Sequence, residues 1–411
     1  MATLLYSLFV LLLLAANGAI HGYLWLKLVR SPRLPTRWAW LVGGMIAAFA
    51  LLVPLSFWIS RPFVRDSLYP LPLVVWTWLG VAFYLLLIFV PYDAIRLARV
   101  LLKRWRGSER VMATDSGAPP VHAIADEADT LDRRLFVSRA LAGSATLAAA
   151  GVTGYGVVVA NGDFNVPEVP VSLPRLPRQL DGFRIIHLTD IHIGPVLDGR
   201  FIDHIVETAN ALKPDLVCIT GDLVDGSVPD IGEAVGRLTK LKSKYGVAFS
   251  TGNHEYYSGV GPWLEFLKGL GFHVLGNERI SIGDAHGGGA SFDLAGIHDR
   301  QGARYHPTLA PTMAPVLAGR EPERELVVMA HQPSQIDMVQ GSGAGLQLSG
   351  HTHGGQVWPF GLVTHLVQPY LKGHHVHDDG TQVYVSCGTG YWGPPYRVGA
   401  PPEVASIILT S

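Results

Sequence analysis

The chain has 411 residues, room for more than one domain. Its 32 Lys and Arg against 33 Asp and Glu leave no charge excess for a polyanionic partner, so nucleic-acid binding is not expected. With only Cys218 and Cys387, neither a disulfide framework nor a zinc–cysteine site can be built, and both lie in apolar runs that read as buried.

Only 16% of residues are charged and 48% are hydrophobic, and the apolar excess lies near the N-terminus. Residues 4–26, 38–58 and 71–90 are almost wholly apolar; at ~1.5 Å per residue each can cross a bilayer. A fourth run, 141–160, is richer in Gly and Ala. Pro54 and Pro72 do not veto these helices, because neighbouring segments satisfy freed backbone groups. Asn17 and His21 in the first run read as helix–helix contacts. Lys27, Arg30, Arg33 and Arg37 follow the first run; Arg61 and Arg65, offset by Asp66, follow the second. Arg96, Arg99, Lys103, Arg104, Arg106 and Arg110 follow the third, with Arg133 and Arg134 before the fourth. Positive loops stay inside, so loops one and three are expected in the cytoplasm, and the N-terminus and C-terminal domain outside the cell membrane.

The organisation expected is therefore a three-helix membrane region over 1–106, a cytoplasmic linker over 107–137, and a fourth membrane helix over 138–160 read as a retained anchor. A proline-rich tether over 161–180 then leads to a globular domain over 181–411. Within that domain, 183–188, 215–220, 247–250, 291–297, 325–330, 346–348, 382–386 and 404–409 read as strands. Segments 198–212, 231–242 and 262–270 show helical spacing. The β-α-β-α-β opening implies parallel pairing, and the strand-rich second half implies a second sheet. The fold class expected is α/β, two stacked mixed sheets flanked by helices, preceded by a helical membrane domain.

Short polar stretches follow the strands: Asp190-Ile191-His192, Gly221-Asp222, Gly252-Asn253-His254-Glu255, His331 and Gly350-His351-Thr352-His353-Gly354-Gly355. Carboxyl ends of parallel strands are where open α/β sheets build their sites. Asp, Asn and His offer oxygen and nitrogen donors without thiolates, a set suited to Mn, Fe or Zn. Together they read as a centre for two divalent ions, which sit ~3.5–4 Å apart in such sites and acidify water towards a pKa of ~7. His298, His306, His365, His374, His375 and His377 lie outside the motifs and read as solvated loop residues; Asp299 reads as a turn carboxylate. Gly388-Thr389-Gly390-Tyr391-Trp392-Gly393 spells a dinucleotide fingerprint but precedes two prolines instead of a helix, so it is set aside.

The five motifs in this order resemble the calcineurin-like metallophosphoesterase superfamily, over residues 181–411. The wording Glu255-Tyr256-Tyr257 and Gly350-His351-Thr352-His353-Gly354-Gly355-Gln356 is similar to a membrane-attached or twin-arginine-exported bacterial branch, and Asp132-Arg133-Arg134-Leu135-Phe136-Val137 resembles a twin-arginine signal as well as a basic helix flank. The resemblance implies that Asp190, His192 and His353 hold one metal, that Asp222 bridges, and that Asn253, His331 and His351 hold the other. It implies that His254 is the catalytic histidine that stabilises phosphoryl oxygens or protonates the leaving group. The expected activity is hydrolysis of phosphodiester or pyrophosphate bonds of a phosphorylated small molecule or lipid; relatives of that branch act on lipid precursors such as UDP-diacylglucosamine. Two rivals are a receptor-like or scaffold protein whose domain only binds a phosphorylated ligand, and a transporter. Tyr256, Tyr257, Trp263, Trp358, Phe360, Tyr370, Tyr391 and Trp392 either line a ligand groove, pack the core or anchor at the bilayer interface.

Overall fold

The computed structural model describes residues 2–59, 70–108, 123–194, 196–284 and 289–411. They form two units, one ending at Tyr155 and the other spanning Gly156–Ser411. The first holds α1 (Ala2–Trp25, continued by a π-helical turn Leu26–Arg30), α2 (Thr36–Ile59), α3 (Pro70–Ser108) and most of α4 (Ala123–Ala160). All four helices are long and apolar enough to cross a membrane. Polar groups clasp the first three: Asn17 Nδ2 donates to the Ala50 carbonyl at 2.8 Å, and Trp78 Nε1 donates to His21 Nε2 at 3.0 Å. These are the helix–helix contacts expected of Asn17 and His21. Buried polar side chains of this kind find partners between helices because lipid offers none.

Helix α4 differs from the sequence reading. It begins at Ala123 and so absorbs residues 123–137, read as linker. The stretch Ala123 to Arg134 has three Ala and two Arg and lacks the Gly and Pro that punctuate the residues before it, so no breaker in it stops a helix. The remainder of the linker, with Arg110, lies outside the described residues, as do Arg61, Arg65 and Asp66.

The second unit stacks two six-stranded sheets. Its strands are β1 (Glu168–Ser172), β2 (Phe183–Leu188), β3 (Leu216–Thr220), β4 (Val247–Ser250), β5 (His273–Val274), β6 (Glu278–Gly283), β7 (Ser291–Gly296), β8 (Leu326–Met329), β9 (Leu346–Ser349), β10 (Gly373–Val376), β11 (Gln382–Val385) and β12 (Ala405–Thr410). One sheet runs β1-β12-β2-β3-β4-β5 and the other β10-β11-β9-β8-β7-β6. Strands β2 to β5 are parallel, with β12 antiparallel to β2. In the second sheet β7, β8, β9 and β11 are parallel, and antiparallel β6 and β10 close its edges.

Alternation divides each strand between two cores. Ile185, Leu216, Cys218 and Ala248 meet Phe292, Leu294, Met329 and Leu348 between the sheets. Ile186, Val217, Ile219 and Phe249 face outward onto α5 (Gly199–Ala211), α6 (Val228–Gly236) and, beyond α7 (Asn253–Ser258), α8 (Val260–Gly269). Burial on both faces explains why these strands read as unbroken apolar runs. Both cysteines are buried and unpaired.

The tether expected over 161–180 is structured instead. Phe164 enters the outer core, and β1 pairs in parallel with β12 over Glu168–Ser172, Pro170 lying opposite Ile408. Proline cannot donate to a ladder, and an edge strand needs no donor on its free side, so the prolines direct this segment to the edge and do not hold it off the domain.

Candidate metal centre

The ends of β2, β3, β4, β8 and β9 release their chains on the same side of the stack. Asp190 and His192 follow β2, Asp222 follows β3, Asn253 and His254 open α7 after β4, His331 follows β8, and His351 and His353 follow β9. The loops are stitched together: Asp190 N donates to the Gly221 carbonyl at 3.1 Å, His192 N to the Asp222 carbonyl at 3.0 Å, and Ile193 N to the Leu223 carbonyl at 2.9 Å. The Asp190 carboxylate accepts from His351 N at 3.1 and 2.9 Å, which ties the β2 loop to the β9 loop across the sheet stack.

Five of these residues hold a left-handed backbone: Asp190 (φ 53°), His192 (53°), Asp222 (50°), His351 (67°) and His353 (50°). For a side chain with a Cβ that conformation costs roughly 1–2 kcal/mol per residue, and such strain collects where a function requires it. Glycines make the close approaches. A Cβ on Gly350 would stand 2.1 Å from Asp190 Oδ2, and one on Gly252 would stand 2.2 Å from Asp222 Oδ1.

Three donor groups result, each with ligand atoms within 4.8 Å of one another: Asp190, His192 and His353; Asp222, His331 and His351; and His192, Asp225 and His254. In the first, His353 Nε2 lies 3.3 Å from Asp190 Oδ1 and 3.1 Å from His192 Nε2. In the second, His331 Nε2 lies 3.1 Å from Asp222 Oδ2. Asp222 joins the two, its Oδ2 standing 3.9 Å from His192 Nε2. Seven of the eight residues expected at the site, His254 among them, fall in these linked groups; Asn253 is the residue before His254 at the start of α7.

The residues fit a pair of cations. His331 Nδ1 is engaged by the Thr220 carbonyl at 2.9 Å, while its Nε2, though buried beside Asp222, makes no hydrogen bond; the buried Asn253 Oδ1 is also without one. A buried amide oxygen without a partner costs about 1–3 kcal/mol; a divalent ion would satisfy it and would take the place of the proton between His331 Nε2 and Asp222. The charge balance agrees. Burial would raise the Asp222 carboxyl, but His331, His254 and His192 hold it well below the usual range. Burial would lower His331, yet Asp222 and Asp190 lift it well above an ordinary imidazole. The pocket thus holds anionic oxygens that need positive charge beside them.

Two contributors, Asp225 and Arg397, have no part in the sequence expectations, and a third, Glu255, gains its role only here. Asp225 accepts from His192 Nδ1 at 3.1 Å and from His254 Nδ1 at 2.5 Å, so it fixes which nitrogen each ring turns to the pocket. Burial opposes charge on His254, but Asp222 and Asp225 raise it to about 9. The signal for Asp225 was present: Gly221-Asp222-Leu223-Val224-Asp225 carries a second carboxylate, and a bridge between Ile193 and Val224 sets it beside His192. Glu255, which closes the Gly252-Asn253-His254-Glu255 stretch, accepts backbone N–H groups of Asp222 at 3.0 Å, Leu223 at 2.8 Å and Gly252 at 2.6 Å. Arg397, fully buried, donates to the carbonyls of Cys387, Gly390 and Ala400, and its Nη2 lies 3.2 Å from His353 Nδ1. No sequence pattern marked it.

Two readings change. His298 is not a solvated loop residue: its Nδ1 is buried against Tyr256 Oη at 3.1 Å, and burial lowers its pKa to about 4. Asp299 is more than a turn carboxylate, since it accepts from Gln332 Nε2 at 3.1 and 2.9 Å and so steadies the residue after His331.

Among known proteins, residues 183–355 match the calcineurin-like phosphoesterase family. An uncharacterised metallophosphoesterase of Helicobacter pylori is 41% identical over 245 residues, 59% of this chain and 63% of that protein, so the match spans under two thirds of the relative's length. A transmembrane protein with metallophosphoesterase domain from Danio rerio is 31% identical over 398 residues, covering 94% of this chain and 85% of that one. Among solved structures, a dimetal phosphatase from Danio rerio aligns over 56% of this chain and 94% of its own, at 12% identity and a TM-score of 0.37.

Proposed function

We infer that this chain, which belongs to the calcineurin-like metallophosphoesterases, is a membrane-held hydrolase of phosphodiester or pyrophosphate bonds that uses two divalent ions. The observation that supports the reading is that Asp190, His192 and His353 form one donor group and Asp222, His331 and His351 another, with the buried Asn253 Oδ1 left without a hydrogen bond. Asp190, His192 and His353 would hold one ion and Asn253, His331 and His351 the other, with Asp222 placed to serve both. The donors accept Mn, Fe or Zn. When bound, the pair supplies an activated water and neutralises charge on the phosphoryl oxygens.

The protein's own groups do the rest. Asp225 anchors His254 through Nδ1 and leaves Nε2 facing the pocket, 4.0 Å from Asp222 Oδ2. In the metal-free protein Asp222 and Asp225 raise His254 to about 9, and its Nε2 is placed to offer a proton to a phosphoryl oxygen or to the departing oxygen. Positioned proton transfer of this kind contributes ~10²–10⁴-fold.

The excess of Lys and Arg in loops one and three sets the domain outside the cytoplasmic membrane, with α4 retained as its anchor; the Arg133-Arg134 pair serves as the basic flank of that helix. A pocket held beside a bilayer favours envelope or lipid-linked phosphoesters, UDP-diacylglucosamine-type precursors among them, over cytosolic nucleotides. The test is turnover of bis(p-nitrophenyl) phosphate by the full-length protein supplied with Mn, Fe or Zn. Asn253→Ala should bind metal more weakly, whereas His254→Ala should keep its metal and lose kcat by ~10²–10⁴-fold. Wild-type turnover no higher than that of the two variants would leave a domain that only binds phosphorylated ligands.

A further inference from the structure

Immediately after the glycine-flanked histidine turn, residues 357–371 contain no Asp, Glu, Lys or Arg. The segment turns outward: Trp358 is 65% exposed, Phe360 53%, Leu362 70%, Val363 53%, Leu366 84% and Val367 74%. A short helix at Gly361–Thr364 and hydrogen bonds from Leu366 N to the Val363 carbonyl and Val367 N to the Thr364 carbonyl keep it ordered as it projects. Six large apolar side chains in one uncharged stretch exceed the scattered exposure of an ordinary surface.

What covers them follows from their neighbours. Residues 156–160, the end of the fourth apolar span, belong to the same unit as the pocket. Arg397 N donates to the Gly156 carbonyl at 2.9 Å, and a Cβ on Gly156 would lie 2.9 Å from Val398 Cγ2. Val398 in turn bridges to Val357 and accepts from Trp358 N at 2.9 Å. The exposed apolar segment thus starts two contacts away from the end of a membrane-spanning helix. On its other side it reaches the pocket. Gln356 Nε2 donates to the Trp392 carbonyl at 3.0 Å and Gln356 Oε1 accepts from Trp392 N at 3.1 Å, and the Trp392 ring stands 6.0 Å from that of His254.

We propose that residues 358–367 enter the interfacial layer of the bilayer in which the chain is anchored, so that the mouth of the pocket opens at the lipid surface. Tryptophan at the start of the segment and aliphatic side chains at its tip match the depth order of an interfacial element. Insertion stands independently of chemistry; its consequence, that the pocket takes phosphoesters borne by lipids, rests on the hydrolase reading.

The test uses full-length protein in nanodiscs of phosphatidylethanolamine and phosphatidylglycerol. Leu366→Cys is labelled with an environment-sensitive fluorophore, the native cysteines being buried; Glu323→Cys, before β8 and at the opposite end of the sheet from the pocket, is the control. Spin-labelled lipid should quench the Leu366 probe about threefold more than the control. A probe reached by aqueous iodide as readily as the control, or shielded from iodide without lipid quenching as a protein contact would be, overturns the insertion. In a second measurement, Leu366→Glu with Val367→Glu should lower turnover of a phosphoester carried by a vesicle lipid at least ~10-fold and leave bis(p-nitrophenyl) phosphate turnover unchanged; equal loss on both substrates counts against the proposal. If the wild type turns over neither, the hydrolase reading falls while the probe still decides insertion.

Discussion

Asp225 holds two imidazoles at once, His192 through one oxygen and His254 through the other. Asp225→Asn keeps the shape and removes the charge. Such a change beside a metal ligand lowers affinity or activity by ~10–100-fold. Because Asp225 helps lift His254 to about 9, the alkaline limb of the kcat profile should also move to lower pH in this variant. Glu255 is a different case. It receives three backbone N–H groups in a fully buried position. In Glu255→Gln an amide N–H₂ must face one of those donors, and the loss should reach about 2–4 kcal/mol, read by thermal unfolding of the detergent-solubilised protein. The metal-stripped protein has its own pH signature. His254, raised from 6.5 to about 9, contributes stability present below pH 6.5 and lost as pH climbs to about 9. Asp222, depressed, contributes stability present above its unfolded value and lost as acid protonates it. Stripped protein should therefore melt highest in mildly acidic to neutral buffer and lower at pH 9, and metal loading should remove the alkaline decline.

At the scale of elements, the turns after β2 and β9 act as one device. Asp190 caps the β9 turn through His351 N, and Gly350 lets the two loops touch. Gly350→Ala places a methyl inside the Asp190 carboxylate's contact distance, so it should cost about 1–3 kcal/mol by overpacking and abolish metal retention measured by elemental analysis. The edge strand β1 gives a contrasting prediction. Val171 is fully buried between the sheets; Val171→Ala removes two methyl groups and should lower stability by about 2 kcal/mol with kcat intact, because β1 touches none of the donor loops.

At the scale of the whole molecule, four helices long and apolar enough to cross a membrane precede a calcineurin-like phosphoesterase domain. If loops one and three face the cytoplasm, protease added to intact spheroplasts should degrade the domain and spare the loop after Arg30, and a cytoplasm-facing domain would show the reverse. The same arrangement explains why an uncharged, exposed stretch is tolerable here: a water-soluble protein with six projecting apolar side chains in one segment would associate through them.

Much of this was written in the sequence. Apolar runs ending in Asp-x-His, Gly-Asp, Gly-Asn-His and Gly-His-x-His identify both the strands and the donors, because local periodicity and chain order carry that information. Strands β5, β6 and β10 were missed because they are short or polar at a sheet edge, and β1 because its prolines resemble a tether. What tertiary structure alone decided is which groups support the donors: Glu255 acts on Leu223 from 32 positions away, and Arg397 lies against His353 from 44. A residue's own sequence neighbourhood holds no trace of a partner delivered by another strand end, since that meeting exists only once the sheets have stacked.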